Sequence, residues 1–539
     1  MGPIRTALVS QYSTEFGRGP NLALLARLRG QQAAGVAALL ALAYLLARLP
    51  IRWAAASVVV GAFGFLLLRF PWLIWPVLAV ALPFASGIDL GPFSLADGLL
   101  AAAVAVWFVN GVRCNRLRLN VGFVPGLVLL FLLAVLLSFP YSINFRKAVE
   151  GVIKWLEMLL IILLVQEAVP RARVHWLVWG LLAGGALQAA LGIYQFVFRI
   201  GPPNFLLLDR FMRASGTFGQ PNPYAGYLGL TLPVAAALFL HAISSLFSRP
   251  RARGPDPPAM PAVSALPAWV GSLAATIGYG GVATVIGLGL VASWSRGGWL
   301  GTASSLTVVL LFQTGRRIAI ALVAAFAVLL AAGGALARFI PTSLTDRLAD
   351  LEIYFGLGIW DVVRQPVTNS NFSVIERLAH WIAALRMWEL SPWFGIGPGN
   401  YAAVYPQVRL PRWEEPLGHA HNIYLNVLAE NGLVGLFAYL VMWGGVVGWL
   451  VCQRMQMRET MAEQHTFQNN SPSQPAPWNA ALLLGVLGVI VHLSVHHLFD
   501  YLYVQGIYLH LAFWLASAVA LARRPPAVPS SAASHSTID

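Results

Sequence analysis

Charge is what this chain most conspicuously lacks. Only 10% of its 539 residues are Asp, Glu, Lys or Arg, against 58% hydrophobic. A water-soluble protein carries about 25% charged residues, so there is too little polar surface here to cover a soluble globule, and lipid must cover the rest. Cysteine is nearly absent as well. The two present, Cys114 and Cys452, flank basic loops that read as cytoplasmic, where a disulfide is not expected, and two cysteines do not make a metal site. No basic domain exists either: the net charge of +14 is scattered over short loops between apolar runs. That distribution excludes nucleic acid as a partner and fits the enrichment of Lys and Arg on the cytoplasmic side of membrane proteins. No internal repeat is visible, which argues against a lipid-linked oligosaccharide transporter, since that class is built from two related halves with charged residues along a path through the bilayer.

What is present is a succession of Leu-, Ala- and Val-rich runs of the length that crosses about 30 Å of hydrocarbon as helix. Nineteen Trp, many near the ends of those runs, fit interfacial aromatic belts. The pattern predicts an all-α, polytopic helical membrane protein with roughly 12–14 transmembrane helices. The expected spans are 31–48, 53–69, 72–87, 93–111, 122–139, 149–168, 173–198, 223–247, 269–293, 297–314, 317–336, 421–451, 479–498 and 505–522. Arg5, Arg18, Arg27 and Arg29 precede the first run, and no small-residue cleavage site follows it, so it is expected to be retained. With a cytoplasmic N-terminal segment over 1–30, alternation puts Arg113, Arg116, Arg118, Arg171, Arg173, Arg249, Arg253, Arg316, Arg317, Arg454 and Arg523 all inside. Arg48 and Arg52 fit this scheme poorly. The resulting division is transmembrane helices over 31–336, a large extracytoplasmic loop over 337–420, C-terminal helices over 421–522 with a cytoplasmic loop at 453–478, and a Pro-, Ser- and Ala-rich tail over 523–539.

The outward loop 337–420 is the one long enough to fold. Ser373 and Glu376 have the spacing of a capping box, and Ile375, Leu378, Ile382 and Leu385 recur at helical spacing, so an amphipathic helix is expected to about Leu390. Arg377, Trp381, Ala384 and Trp388 fall on another face. Ser391-Pro392 stops the helix, and Gly395, Gly397 and Gly399 make turns that permit close backbone approach to a ligand. Read on these residues alone, an interfacial helix with Arg377 at lipid headgroups remains open. His419 and His421 stand directly before the next span. Imidazole is the natural general base near neutral pH, whereas a His-x-His pair with Glu414 or Glu415 lacks the usual third-ligand spacing of a metal site. Gly432 and Gly435, one turn apart, would allow close helix contact in the membrane.

Taken together, His421-Asn422, nine residues, then Gly432-x-x-Gly435 resembles the signature of the O-antigen ligase and Wzy-type polymerase superfamily. Glu376, Arg377 and Trp381, followed by Ser391-Pro392 and Gly395-x-Gly397, are similar to the loop helix and glycine turn of that family. Ser295-Arg296-Gly297-Gly298 and the segment from Arg213 to Asn222 resemble further pieces of it, so the likeness covers about 210–440. The resemblance implies a GT-C-like membrane glycosyltransferase in the bacterial inner membrane. It would need no cofactor or metal and would take a glycan from undecaprenyl pyrophosphate to a lipid, glycan or protein acceptor on the outer side. Arg296 and Arg377 would hold the pyrophosphate, since guanidinium suits bidentate phosphate contacts, and His421 would take the acceptor proton. Arg213, Asn222, Asn422, His419, Glu376 and Trp381 are the expected substrate contacts. A ligase is favoured slightly over a polymerase, whose acceptor would be another glycan.

Two further clusters are left open. Lys147, Glu150, Lys154 and Glu157 lie in one span, where ionisable groups are functional candidates, although Glu150 and Lys154 are spaced to neutralise each other. His492, His496, His497 and Asp500 end another span and read either as cavity lining or as interfacial groups.

Overall fold

The computed structural model describes residues 49–88, 94–115, 117–207, 210–247, 268–313, 361–368, 371–467 and 477–523, with a few isolated positions. The N-terminal segment 1–30, most of the expected span 31–48, the connection 249–267, the span 317–336, the start of the loop at 337–355 and the tail beyond Arg523 lie outside the described residues. The chain divides into two units, Met1–Pro71 and Trp72–Asp539. In the first, α1 (Ile51–Arg69) is an apolar helix whose last turn carries Arg69.

The second unit is helical. Its elements are α2 (Ile74–Ala85), α3 (Leu95–Arg113), α4 (Phe123–Ser138), α5 (Phe145–Ala168) and α6 (Val174–Phe198). A two-residue antiparallel pair follows, β1 (Leu206–Leu207) with β2 (Phe211–Met212). Then come α7 (Pro221–Phe247), α8 (Ala268–Ala292), α9 (Arg296–Gln313), α10 (Phe372–Leu390), α11 (Tyr401–Val408), α12 (Ile423–Phe467), α13 (Pro477–His496) and α14 (Ile507–Ala522). Among the described residues, seven helices are long and apolar enough to cross a membrane, namely those built on α3, α4, α6, α7, α8, α12 and α13. The protein is thus polytopic and all-α, with fewer full-length spans among these residues than the hydropathy pattern predicts. The reasons are local. Helix α5 carries Arg146, Lys147, Glu150, Lys154 and Glu157, while α2 has 12 residues and α14 has 16. In the other direction, α12 runs on past the expected end at 451 to Phe467.

Helix α13 is the centre of the bundle, packed against α7, α9, α12 and α14. Small residues allow this. His492 of α13 is wedged between Gly229 of α7 and Gly301 of α9, where any Cβ would collide with its ring. Helix α14 is buried along nearly its whole length and packs on α5. The helix ends then sort into two groups. At one end, Ala214 N–H donates to the Ala292 carbonyl, Ile423 N–H to His497 and Asn144 N–H to the Asn400 side chain. At the other, Arg523 donates to the Gln166 carbonyl and pairs with Glu167, and Arg454 donates to the Phe312 carbonyl at 2.7 Å. This second end collects basic residues that the alternation assigns to the cytoplasm. Cys114 and Cys452 are both free and exposed.

Candidate active site

Helix α10 begins two residues earlier than its sequence suggests, with Asn371 and not Ser373 at its N-cap, and the capping box at Ser373 does not form. Phe372 N–H bonds the Thr368 carbonyl, and Thr368 and Asn371 bond each other reciprocally, Thr368 N–H to Asn371 Oδ1 at 2.7 Å and Asn371 N–H to Thr368 Oγ1 at 3.4 Å. Ser373 therefore falls within the first turn, and its hydroxyl instead receives Arg296 Nη2 at 3.4 Å. The buried face of the helix also differs from the predicted stripe. Ile375 is buried, but Leu385 is exposed, and the inner face is made by Ala379, His380, Ala383, Ala384 and Met387. Small alanines let α10 lie close against α12 and α11, forming a core with Ile396, Tyr401, Val404 and Tyr405. The helix is a packed wall of the site, with Leu385 and Leu390 left on its outer face.

The glycines act on the protein's own backbone. Gly432 has φ 63° and ψ −164° and breaks α12, a conformation open essentially to glycine alone. A Cβ there would meet the Trp393 carbonyl carbon at 2.3 Å, and a Cβ on Gly395 (φ 70°) would meet the Glu430 carbonyl carbon at 2.3 Å. The glycine turn and the helix break thus interlock, sealed by Leu433 N–H to the Pro392 carbonyl and Gly397 N–H to the Glu430 carbonyl, both at 2.9 Å. The expected helix-to-helix contact through Gly432 and Gly435 is replaced by this seat, and the expected approach of the turn glycines to a ligand by approach to α12.

The interlock holds the segment leading to His421. Ala420 N–H donates to Asn426 Oδ1 at 3.0 Å. Asn422 caps α12 by accepting Leu425 N–H at 3.1 Å and donates to the Leu498 carbonyl at 3.1 Å. Between these anchors His421 adopts φ 51°. Its Nδ1 lies 3.2 Å from Asp500 Oδ1, and its Nε2 is buried with no hydrogen-bond partner. A carboxylate on Nδ1 selects the Nδ1–H tautomer and leaves the Nε2 lone pair available. His419 Nδ1 accepts His421 N–H at 3.2 Å, and its ring stacks on Tyr501 with centroids 5.1 Å apart. His380 donates through Nδ1 to the Tyr401 hydroxyl at 3.0 Å, and its ring meets His421 edge-on at 5.9 Å.

The charges are arranged around this histidine. Burial alone would raise the Asp500 carboxyl, but the hydrogen bond and charge of His421, helped by His419 and Arg377, hold it well below the usual carboxylate range. Burial pushes His419 down to about 3, with His421 adding to it. Burial and His421 push His380 down to about 4. Both neighbours are therefore neutral near pH 7 and do not compete for the proton. Burial raises Glu376, against the opposing pull of His421 and Arg377.

His421, His419 and Asp500 border a cavity of about 580 Å³, together with Asn222 and residues of α5, α12 and the loop before α14. Arg213 donates to Asn222 Oδ1 at 3.2 Å and to the Ser293 carbonyl at 3.1 Å, which ties the β2 strand to the turn before Arg296. The structure thus brings His421, His419, Asn222, Arg213, Arg296, Arg377 and Glu376 to one end of the bundle. Asn422 uses its side chain within the fold, and Trp381 is partly buried with its indole N–H unpartnered. Among the described residues, His419, His421 and Asp500 are the group whose donor atoms, within 4.8 Å of one another, could hold a metal ion.

Asp500 is the residue that sequence reasoning undervalued. It was legible only as part of a histidine-rich helix end, and its partner lies 79 positions away. In the α5 cluster the expected Glu150–Lys154 pair is not made. Glu150 pairs with Lys147 at 2.6 Å and Arg146 at 3.3 Å, and Glu157 accepts the Tyr508 hydroxyl at 2.6 Å. Lys154 instead lines the cavity.

Fold and site define a polytopic helical membrane protein with a cavity bordered by His419, His421 and Asp500 at one end of its bundle. Residues 281–440 match the family model described as O-Antigen ligase. The matched segment contains Arg296, α10, the glycine turn, His421 and Gly432. No curated protein matches the chain.

Proposed function

We propose that the protein catalyses inverting, metal-independent transfer of a glycan from undecaprenyl pyrophosphate to an acceptor hydroxyl at the outer face of the bacterial inner membrane. The observation that carries this reading is His421: Asp500 fixes its tautomer, and its unpartnered Nε2 belongs to a ring that borders the cavity. In the reaction the acceptor oxygen attacks the anomeric carbon, and its proton passes to His421 Nε2. The bond from the anomeric carbon to the pyrophosphate oxygen breaks, and the electron pair leaves with the pyrophosphate. Arg296 and Arg377 supply fixed positive charge for that leaving group, the role a metal fills elsewhere. Arg213 positions Asn222 and the turn preceding Arg296, and Glu376 and Trp381 flank Arg377 on α10. The outer-face assignment rests on the basic residues gathered at the opposite helix ends.

The reading is tested with His421→Ala, which should lower transfer from a lipid-linked glycan by roughly 10²–10⁴-fold while the protein still inserts and elutes as a folded species. Full activity in that variant excludes the base. Deletion of the gene, read on an envelope-glycan gel, separates the two acceptor classes. Polymer left on its lipid carrier and missing from the final acceptor denotes a ligase, the reading favoured here. An acceptor bearing single repeats denotes a Wzy-type polymerase.

A further inference from the structure

The cavity beside His421 reaches from Asn222 to α5, α12 and the loop before α14. None of Arg213, Arg296 and Arg377 borders it, whereas Lys154, Trp155, Asn426, Glu430, Tyr501 and Tyr503 do. His421 and Asp500 are shared between the two regions, since both border the cavity and the charge of Arg377 reaches Asp500.

Lys154 is the unusual group. Its ammonium donates to the Tyr503 carbonyl at 3.4 Å and makes no ion pair among the described residues. Its neighbour Lys147 is already taken by Glu150. An ammonium has three donors, so Lys154 keeps donor capacity inside a walled space, where unpaired charge is costly. Glu430, on the facing helix α12, accepts Tyr401 N–H through Oε1 at 3.2 Å, an arrangement that holds the carboxylate in place. Aromatic rings stand beside these groups in a wall that also carries aliphatic residues such as Met158 and Val427. Trp155 meets Tyr503 edge-on at 5.0 Å, and Tyr501 meets Tyr503 at 5.8 Å. Fixed polar groups among aromatic rings suit a sugar, which offers hydroxyls at its rim and C–H faces to the rings. The volume lies within the roughly 300–1,000 Å³ of small-molecule sites.

We propose that this cavity is the acceptor subsite. It takes a saccharide whose hydroxyls are held by Lys154, Glu430 and Asn426, with Trp155 and Tyr503 against its faces, and it presents one hydroxyl to His421. The assignment rests on the transfer reaction proposed above. It follows from the geometry of inversion, because the base must touch the attacking hydroxyl and the leaving group departs on the opposite side of the anomeric carbon. Among the described residues, the arginines and the cavity are two surfaces beside His421, and the histidine borders the cavity.

The test uses the full-length protein in nanodiscs with an undecaprenyl-pyrophosphate-linked glycan as donor. Purified lipid A–core glycolipid and a second lipid-linked glycan are offered separately as acceptors, and inorganic pyrophosphate serves as inhibitor. Lys154→Met should raise the acceptor KM roughly tenfold, the loss expected for a hydrogen bond to a charged group, with pyrophosphate inhibition unchanged. Ala402→Leu, which narrows the same cavity without touching a charge, should act in the same direction. Lys154→Gln, which keeps an N–H donor, should recover part of the loss. Weakened pyrophosphate inhibition in Lys154→Met would make the cavity the leaving-group site and overturn the proposal, as would an unchanged acceptor KM in both Lys154→Met and Ala402→Leu. Wild-type protein that transfers nothing from this donor would instead remove the transfer reaction itself.

Discussion

His421 Nδ1 and Asp500 Oδ1 lie 3.2 Å apart, although 79 residues separate them in the chain. The contact joins the segment entering α12 to the segment leaving α13, and Ile423 N–H to the His497 carbonyl at 3.0 Å runs beside it. Asp500→Asn keeps the shape and removes the charge that selects the histidine tautomer. Transfer should fall roughly 100-fold or more, with acceptor KM little changed. Wild-type turnover in that variant would show that His421 needs no such partner.

The same pair fixes a pH dependence. The folded-state pKa of Asp500 is depressed, against about 3.9 for an unfolded aspartate. Its contribution to stability is therefore fully present above that unfolded value and is lost as pH falls through the folded one. The difference in thermal stability between wild type and Asp500→Asn should be constant from about pH 7 to 5 and shrink on further acidification. Intrinsic fluorescence in detergent measures it, and a gap that widens in acid would contradict the charge assignment.

Arg377→Lys exchanges a planar fork for a point charge. Inhibition by inorganic pyrophosphate should weaken roughly 10- to 100-fold, and Arg296→Lys should act in the same direction. Unchanged inhibition in both variants would move the leaving group elsewhere in the site.

Gly432→Ala places a methyl group where Trp393 backbone stands at 2.3 Å, in a conformation reserved for glycine. Glycine-only strain and overpacking each cost about 1–3 kcal/mol, so a fall in stability of about 2–6 kcal/mol and loss of transfer are expected. Gly444→Ala, in the same helix with open space at its Cβ, is the control and should leave both unchanged.

EDTA separates the base from a metal centre. His419, His421 and Asp500 have compatible spacing for an ion, yet His421 Nδ1 and Asp500 already bond each other. Transfer should survive chelation at full rate. Inactivation by EDTA, restored by a divalent cation, would convert these three residues into ligands.

The helical membrane architecture was legible because hydropathy acts locally, over a run of residues that either suits lipid or does not. The motif around His421 was legible for a related reason, since its residues are close in sequence. Reading failed where a pattern had two tertiary solutions. The stripe Ile375, Leu378, Ile382 and Leu385 satisfies helical periodicity, but alanines on the adjacent face allow α10 to approach its neighbours more closely, and that face became the inner one. Ser373 fits a capping box, but Thr368 and Asn371 supply the turn and Arg296 takes the serine. Glu150 and Lys154 have the spacing of a pair, but Lys147 and Arg146 reach Glu150 instead.

By itself, then, the sequence determined that this chain lives in lipid as a set of helices, and that a histidine, two arginines and a set of glycines recur in a recognisable order. Only the tertiary structure decided what those residues meet. It set Asp500 against His421, turned the glycines into an interlock between loop and helix, and left Lys154 facing a cavity. The physical reason is that burial and periodicity are properties of neighbouring residues. The partner of a polar group is chosen by helix packing, which brings together residues that no local pattern connects.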